Sequence, residues 1–170
     1  DLLNNGQAIY EMGPTNATLE HLLMNHVGQA LGFPEGCGGV LCHGGTLGNL
    51  VALLAAQRKL GLRLDQDPWR KGIRQADPFV VLVSQQAHYC VDRAVRIMGW
   101  GPDAVVLVNT DANHRMDVAD LAHQARKQRK EGRQLLAVVG SACTTSTGAY
   151  DPLQDIAEWA QGEDVWFHVD

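Results

Sequence analysis

Four short stretches of this chain carry groups suited to chemistry. The first is Gly44-Gly45-Thr46, directly before a helical pattern that starts near Leu47. Amide N–H groups at a helix start attract an anion, paired glycines let a phosphate come close to the backbone, and Thr46 adds a hydroxyl donor. The same residues also suit a tight turn with Thr46 as N-cap, and no Gly-Lys-Ser/Thr follows to make a Walker loop. The second stretch is Ser84-Gln85-Gln86-Ala87-His88-Tyr89, which follows an apolar run. It puts His88 in the first turn of the next helix, either as an ordinary polar side chain or as an imidazole able to stack on a flat ring and move protons. The third is the hydroxyl-dense Ser141-Ala142-Cys143-Thr144-Thr145-Ser146-Thr147-Gly148, a plain turn or a set of hydrogen-bonding groups for a ligand. The fourth is His168-Val169-Asp170. A carboxylate after a mostly apolar run is expected to be partly buried and to need a partner: solvent, a metal, or a protonated ring nitrogen.

Other polar features point to no site. Cys37, Cys42, Cys90 and Cys143 match no zinc-ligand spacing and read as reduced thiols of an intracellular, cytoplasmic protein. The basic cluster Arg126-Lys127-Gln128-Arg129-Lys130 with Arg133 suits a solvated helix C-terminus, and Trp69, Trp100, Trp159 and Trp166 are scattered. With 14 Lys plus Arg against 19 Asp plus Glu and a net charge of -5, nucleic acid is a poor partner. No apolar stretch approaches the roughly 20 residues of a membrane helix, and no metal is expected.

The elements that must position these groups alternate along 170 residues that are 45% hydrophobic. Helical periodicity covers Thr18 to Leu31 with Thr18 a possible N-cap, Thr46 to Leu60 through Leu47, Leu50, Val51 and Leu54, Ala87 to Met98, and Asp117 to Glu131. Between them lie apolar, β-branched runs at Phe79 to Val83, Ala104 to Val108, Leu135 to Val139 and Val165 to Val169. Such runs are expected in a covered parallel sheet, so the fold class is α/β, a mostly parallel sheet flanked by helices. Gly61 to Pro78 reads as a surface excursion within one domain. In such sheets ligands gather at the carboxyl ends of the strands, where three of the four chemical stretches stand.

The order of these motifs resembles the pyridoxal-phosphate enzymes of fold type I, and in detail the group II amino-acid decarboxylases acting on glutamate, aromatic amino acids, tyrosine and diaminobutyrate. The matching text is Gly44-Gly45-Thr46-Leu47-Gly48-Asn49-Leu50 with Ala52-Leu53-Leu54-Ala55-Ala56, then Ser84-Gln85-Gln86-Ala87-His88 with Val91-Asp92-Arg93-Ala94. Thr144-Thr145-Ser146-Thr147-Gly148-Ala149-Tyr150-Asp151-Pro152 and Trp166-Phe167-His168-Val169-Asp170 complete it, with Met12-Gly13-Pro14 and Thr18-Leu19-Glu20 upstream. The resemblance implies an aspartate aminotransferase-like large domain, present in part over residues 1–170. It implies that Gly45 and Thr46 hold the phosphate of pyridoxal 5'-phosphate and that His88 stacks on its ring. Thr145 would bond near the phenolic oxygen or the substrate carboxylate, and Asp170 would pair with the ring nitrogen. His88, Thr145 and Asp170 are thus the implied catalytic residues.

Departures from the family pattern are Leu47 where many relatives have Glu, Cys143 where Gly is usual, and Cys42-His43 where small or hydroxylated residues are common. Lys59, Lys71, Lys127 and Lys130 do not match the family's Schiff-base lysine. The chain opens on Asp1 and stops after a strand-like run, so both ends read as cut, with the N-terminal segment, the lysine region and the small C-terminal domain expected elsewhere. The intact enzyme is expected to be a homodimer that releases CO₂ from an L-amino acid. Two rivals stay open: another fold type I enzyme, such as an aminotransferase or desulfurase relative, or a non-catalytic domain binding a phosphorylated ligand or a protein.

Overall fold

The four apolar runs form one parallel sheet in the computed structural model, which describes residues 9–170. Its strands are β1 (Phe79–Ser84), β2 (Val105–Val108), β3 (Gln134–Gly140) and β4 (Trp166–Val169), in the spatial order β2-β1-β3-β4. Every neighbouring pair is parallel. The helices are α1 (Pro14–Ala30), α2 (Gly45–Arg63), α3 (Pro68–Lys71), α4 (Cys90–Ile97), α5 (Val118–Lys130) and α6 (Leu153–Gly162). The chain divides into two compact units, Asp1–His43 and Gly44–Asp170, and the sheet belongs to the second. The division falls before α2, not at Gly61 to Pro78.

Two apolar layers cover the sheet, because alternate residues of a strand face opposite sides. Phe79, Val81 and Val83 join Leu53, Ala56 and Leu60 of α2 and Val91, Ala94 and Val95 of α4. Val80 and Leu82 join Leu121 and Ala125 of α5 and Ile156 and Ala160 of α6. The β1–β3 register slips between Val80 and Val81, where Val80 pairs with Leu135 and Val81 with Ala137. This bulge leaves Leu136 as the extra residue, and Leu136 and Ala137 both enter the α2/α4 layer. The two middle strands are buried almost throughout, whereas β2 exposes Leu107 and β4 is only half covered. Among the described residues, full two-sided coverage is reached on β1 and β3.

Several element boundaries differ from the sequence expectation. Helix α1 begins at Pro14 behind Gly13, and the Thr18 hydroxyl donates to the Pro14 carbonyl at 2.8 Å instead of capping. Proline at the first helical position loses no bond, because that amide has no partner in a helix. Helix α2 buries Asn49, Leu53, Ala56, Gln57 and Leu60, while Leu47 and Val51 of the expected face are exposed. Helix α4 begins at Cys90, so His88 precedes it. Helix α6 was not expected. The excursion after α2 is pinned down: Asp67 is buried, pairs with Arg58 and caps α3 through the Trp69 N–H at 3.1 Å. A Cβ on Gly61 would lie 2.8 Å from Pro68 Cδ and 2.9 Å from Asp67 Cα, so the chain returns against a bare backbone there.

In the first unit, α1 buries only Gly28, where an added Cβ would collide with Cys37 Sγ. Glu20 accepts the Leu41 N–H at 2.7 Å and ties the following segment to the helix.

Candidate active site

In a parallel sheet every strand delivers its carboxyl end to the same rim, and a crevice opens there where the strand order reverses direction. Here β2 lies on one side of β1 and β3 on the other, so the reversal falls between β1 and β3. The turn carrying His88 follows β1, the hydroxyl loop follows β3, and Asp170 follows β4. These groups and the start of α2 line one open cleft of ≈ 270 Å³.

Gly44 is the N-cap of α2 at φ 84° and ψ 162°, a left-handed conformation that strains any residue with a Cβ. No side chain caps the helix, so the first-turn amides lack the usual Ser, Thr, Asp or Asn acceptor. Thr46 lies inside the first turn and is not the N-cap. Gly45 and Thr46 are exposed to the cleft, and an added Cβ on Gly45 would meet no atom within 4 Å.

His88 is half-buried, and its Nδ1 accepts the Cys90 N–H at 3.3 Å. The imidazole thereby supplies the acceptor at the start of α4, and its neutral form carries the proton on Nε2. The ring lies 4.2 Å from that of Tyr89 at 40°. Arg93 sits over the other ring, with its guanidinium carbon 4.7 Å from the Tyr89 centroid.

The hydroxyl loop is shaped from within. Thr144 is buried, its hydroxyl lies 2.6 Å from that of Thr147, and it accepts the Ala149 N–H at 3.1 Å. Thr145 is exposed and lines the cleft, so the two adjacent threonines divide structure from access. Cys143 holds φ 75°, a left-handed conformation rare for a residue with a side chain. Ser141 Oγ is buried beside the cleft with no hydrogen-bond partner among the described residues.

Asp170 has its backbone clamped: its N–H donates to Gly140 at 2.9 Å and its carbonyl accepts from Ala142 at 2.8 Å. Its side chain lines the cleft, and its contacts there are partly buried. Its Oδ1 accepts from Asn49 Nδ2 at 2.8 Å, and Cys90 Sγ lies 3.9 Å from its Oδ2. Burial pushes the Cys90 thiol above its ordinary pKa; the Asn49 amide opposes this and the Asp170 charge adds to it. Burial also pushes His168 below the ordinary histidine value, partly offset by Asp170.

The five residues singled out from sequence, Gly45, Thr46, His88, Thr145 and Asp170, thus meet in one cleft. Sequence reasoning gave no site role to Asn49 or Cys90, which line the cleft too, and named Ser141 and His168 only as members of their stretches; His168 Nε2 lies 2.5 Å from Asn49 Oδ1. A signal for Asn49 exists in hindsight of the fold: it is the polar member of the stripe Asn49, Leu53, Ala56, Leu60 on the buried face of α2. Among the described residues, no group of three or more His, Cys, Asp or Glu is placed to hold a metal ion. No helix among them is long and apolar enough to cross a membrane.

Comparison with known proteins identifies the family and the fold. The family described as "Pyridoxal-dependent decarboxylase conserved domain" matches residues 2–170. An aromatic-L-amino-acid decarboxylase of Bacillus atrophaeus is 34% identical over 152 residues, which cover 89% of this chain and 29% of that protein. The crystal structure of mouse CSAD superposes with a TM-score of 0.90 at 31% identity, covering 99% of this chain and 35% of the other. That of Oryza sativa TDC with PLP gives a TM-score of 0.86 at 25% identity, covering 99% of this chain and 38% of the other. This chain therefore spans about a third of the length of the curated relatives it matches, 29% to 33% for the aromatic, acidic and cysteine sulfinic acid decarboxylases. With the family matched over almost every residue and the fold shared, the chain belongs to the pyridoxal-dependent decarboxylase family.

Proposed function

We propose that the whole protein decarboxylates an L-amino acid to its amine and CO₂ with pyridoxal 5'-phosphate, and that residues 1–170 are part of the large domain that holds this cofactor. The observation that carries the reading is one cleft bounded by an uncapped helix start and by the carboxylate of Asp170. The residues fit the group. Free amides suit a phosphate, a carboxylate suits a protonated ring nitrogen, and the unpartnered Ser141 hydroxyl is a buried polar atom awaiting a bond.

Gly45 and Thr46 bind the phosphate in this reading through backbone N–H groups and the Thr46 hydroxyl. His88 covers the ring, with the proton on its Nε2 and its Nδ1 committed to the Cys90 amide. Thr145 offers the exposed hydroxyl for the phenolic oxygen or the substrate carboxylate. Asp170 holds a proton on the ring nitrogen, since a neighbouring anion raises the pKa of a cationic acid by favouring its charged form. Each unit of that shift corresponds to about 1.4 kcal/mol. When bound, the cofactor supplies the electron sink for the pair released as CO₂ leaves. None of Lys59, Lys71, Lys127 and Lys130 lines the cleft, so the reading takes the aldehyde-holding lysine from elsewhere in the whole protein. The free thiols of Cys37, Cys42, Cys90 and Cys143 support a cytoplasmic setting. The homodimer is carried over from the family resemblance.

The test is to incubate the full-length protein with pyridoxal 5'-phosphate and a panel of L-amino acids. Amine and CO₂ are expected in equal amounts, together with a visible absorption band that Asp170→Ala weakens. A keto acid in place of the amine, or an unchanged band and rate in Asp170→Ala, would overturn the reading.

A further inference from the structure

We propose that Asn49 is the positioning residue for the Asp170 carboxylate, and that the same amide fixes the proton of His168 on Nε2; this rests on the cofactor reading above. Asn49 is 4% exposed and sits one turn into α2, facing the sheet among Leu53 and Ala56. A buried primary amide must find partners on both its ends, because each unmet group carries the full cost of its lost water. Here Nδ2 donates to Asp170 Oδ1 at 2.8 Å and to Cys90 Sγ at 3.1 Å, while Oδ1 lies 2.5 Å from His168 Nε2.

The chemistry of the three partners allows one orientation of the amide. An ionised carboxylate only accepts, so the NH₂ end must face Asp170. The carbonyl end then faces His168, and a carbonyl also only accepts, so His168 Nε2 must be the donor. Turning the amide over would set a carbonyl oxygen against a carboxylate oxygen. The proton position on His168 is therefore set by the charge on Asp170, transmitted through one buried side chain.

The arrangement also divides the labour of the two carboxylate oxygens. Oδ1 is anchored by Asn49, whereas the hydrogen-bond neighbour of Oδ2 among the described residues is the Cys90 sulfur at 3.9 Å. Among the described residues, the Asn49 amide is the one nitrogen donor to this carboxylate. Asn49 thereby restrains its rotation and leaves Oδ2 as the oxygen available to a protonated ring nitrogen.

The test uses the full-length protein, with Asn49→Asp as a near-isosteric variant and Asn49→Leu as one with no polar end. The measurements are pyridoxal 5'-phosphate affinity and, in the cofactor-free protein, the His168 tautomer read from ¹⁵N-resolved NMR. The expected results are an affinity lower by about tenfold or more in both variants, as for loss of a charge-assisted bond. The Nε2–H tautomer should persist in wild type and in Asn49→Asp, whose carboxylate still accepts, and be lost in Asn49→Leu. Wild-type affinity in a folded Asn49→Leu protein would overturn the role of Asn49, because a space-filling residue would tolerate that change. An Nδ1–H tautomer in the wild type would overturn it as well. Failure of the wild type to take up the cofactor at all would overturn the cofactor reading and this inference with it.

Discussion

Asp151 grips Ser141 from both sides: its Oδ2 accepts the Ser141 N–H at 2.8 Å, and its own N–H donates to the Ser141 carbonyl at 3.0 Å. Its Oδ1 also accepts the Met116 N–H at 2.7 Å, which ties the hydroxyl loop to the segment ahead of α5. All three groups are buried, so this carboxylate is structural. Asp151→Ala should leave two buried amides without partners and cost about 2–4 kcal/mol. The check is the urea midpoint of the full-length protein, with an unchanged midpoint counting against the assignment.

Cys143 pays for its place in the loop with strain, since φ 75° brings its Cβ close to the backbone. Cys143→Gly should be more stable than Cys143→Ala by about 1 kcal/mol, the usual excess of a left-handed conformation for a residue with a Cβ. Thermal melts of the two variants give the comparison.

Stability should depend on pH through His168. Burial lowers its folded pKa below the ordinary 6.5, so in that window the unfolded chain binds more protons than the folded one. Stability must then rise with pH across the window, be fully present above the unfolded value, and fall as acid protonates the buried ring. His168→Gln should flatten this acid limb. Urea denaturation from pH 5 to pH 8 (about one and a half units either side of the reference value) would detect it, and an identical acid limb in the variant would refute the assignment.

The thiols should separate by reactivity. Cys90 is buried and its pKa is raised, so little thiolate is present near neutrality, while Cys143 is exposed at the cleft. Iodoacetamide at mild alkaline pH, followed by peptide mass spectrometry, should label Cys143 well before Cys90. Equal rates would mean that the burial around Cys90 opens readily.

How much of this was legible in the residues follows from what each signal reports. Helical period and β-branched runs report burial, so the layered fold and the approximate extents of β1 to β4 could be read directly. The buried face of α2 could not, because two apolar stripes share that helix and only packing on the sheet selects Leu53, Ala56 and Leu60 over Leu47 and Val51. Helix α6 follows Pro152 and buries little more than Ile156 and Ala160, too short a stripe to stand out. The glycine turn, His88, the hydroxyl loop and Asp170 each stand beside a recognisable element, but their assignment as site residues comes from the family resemblance and not from position. Asn49 and His168 could not be read as partners, since their meaning lies in a contact between residues 119 positions apart.

The bare start of α2 has a consequence for the empty protein. With no side chain to close its first turn, that end of the helix is the part most ready to fray, and whatever anion settles there completes the helix as it binds. Occupancy and local order at residues 45–47 are then two faces of one equilibrium, so hydrogen exchange at those amides should slow when the cleft is filled and serve as a gauge of ligand uptake.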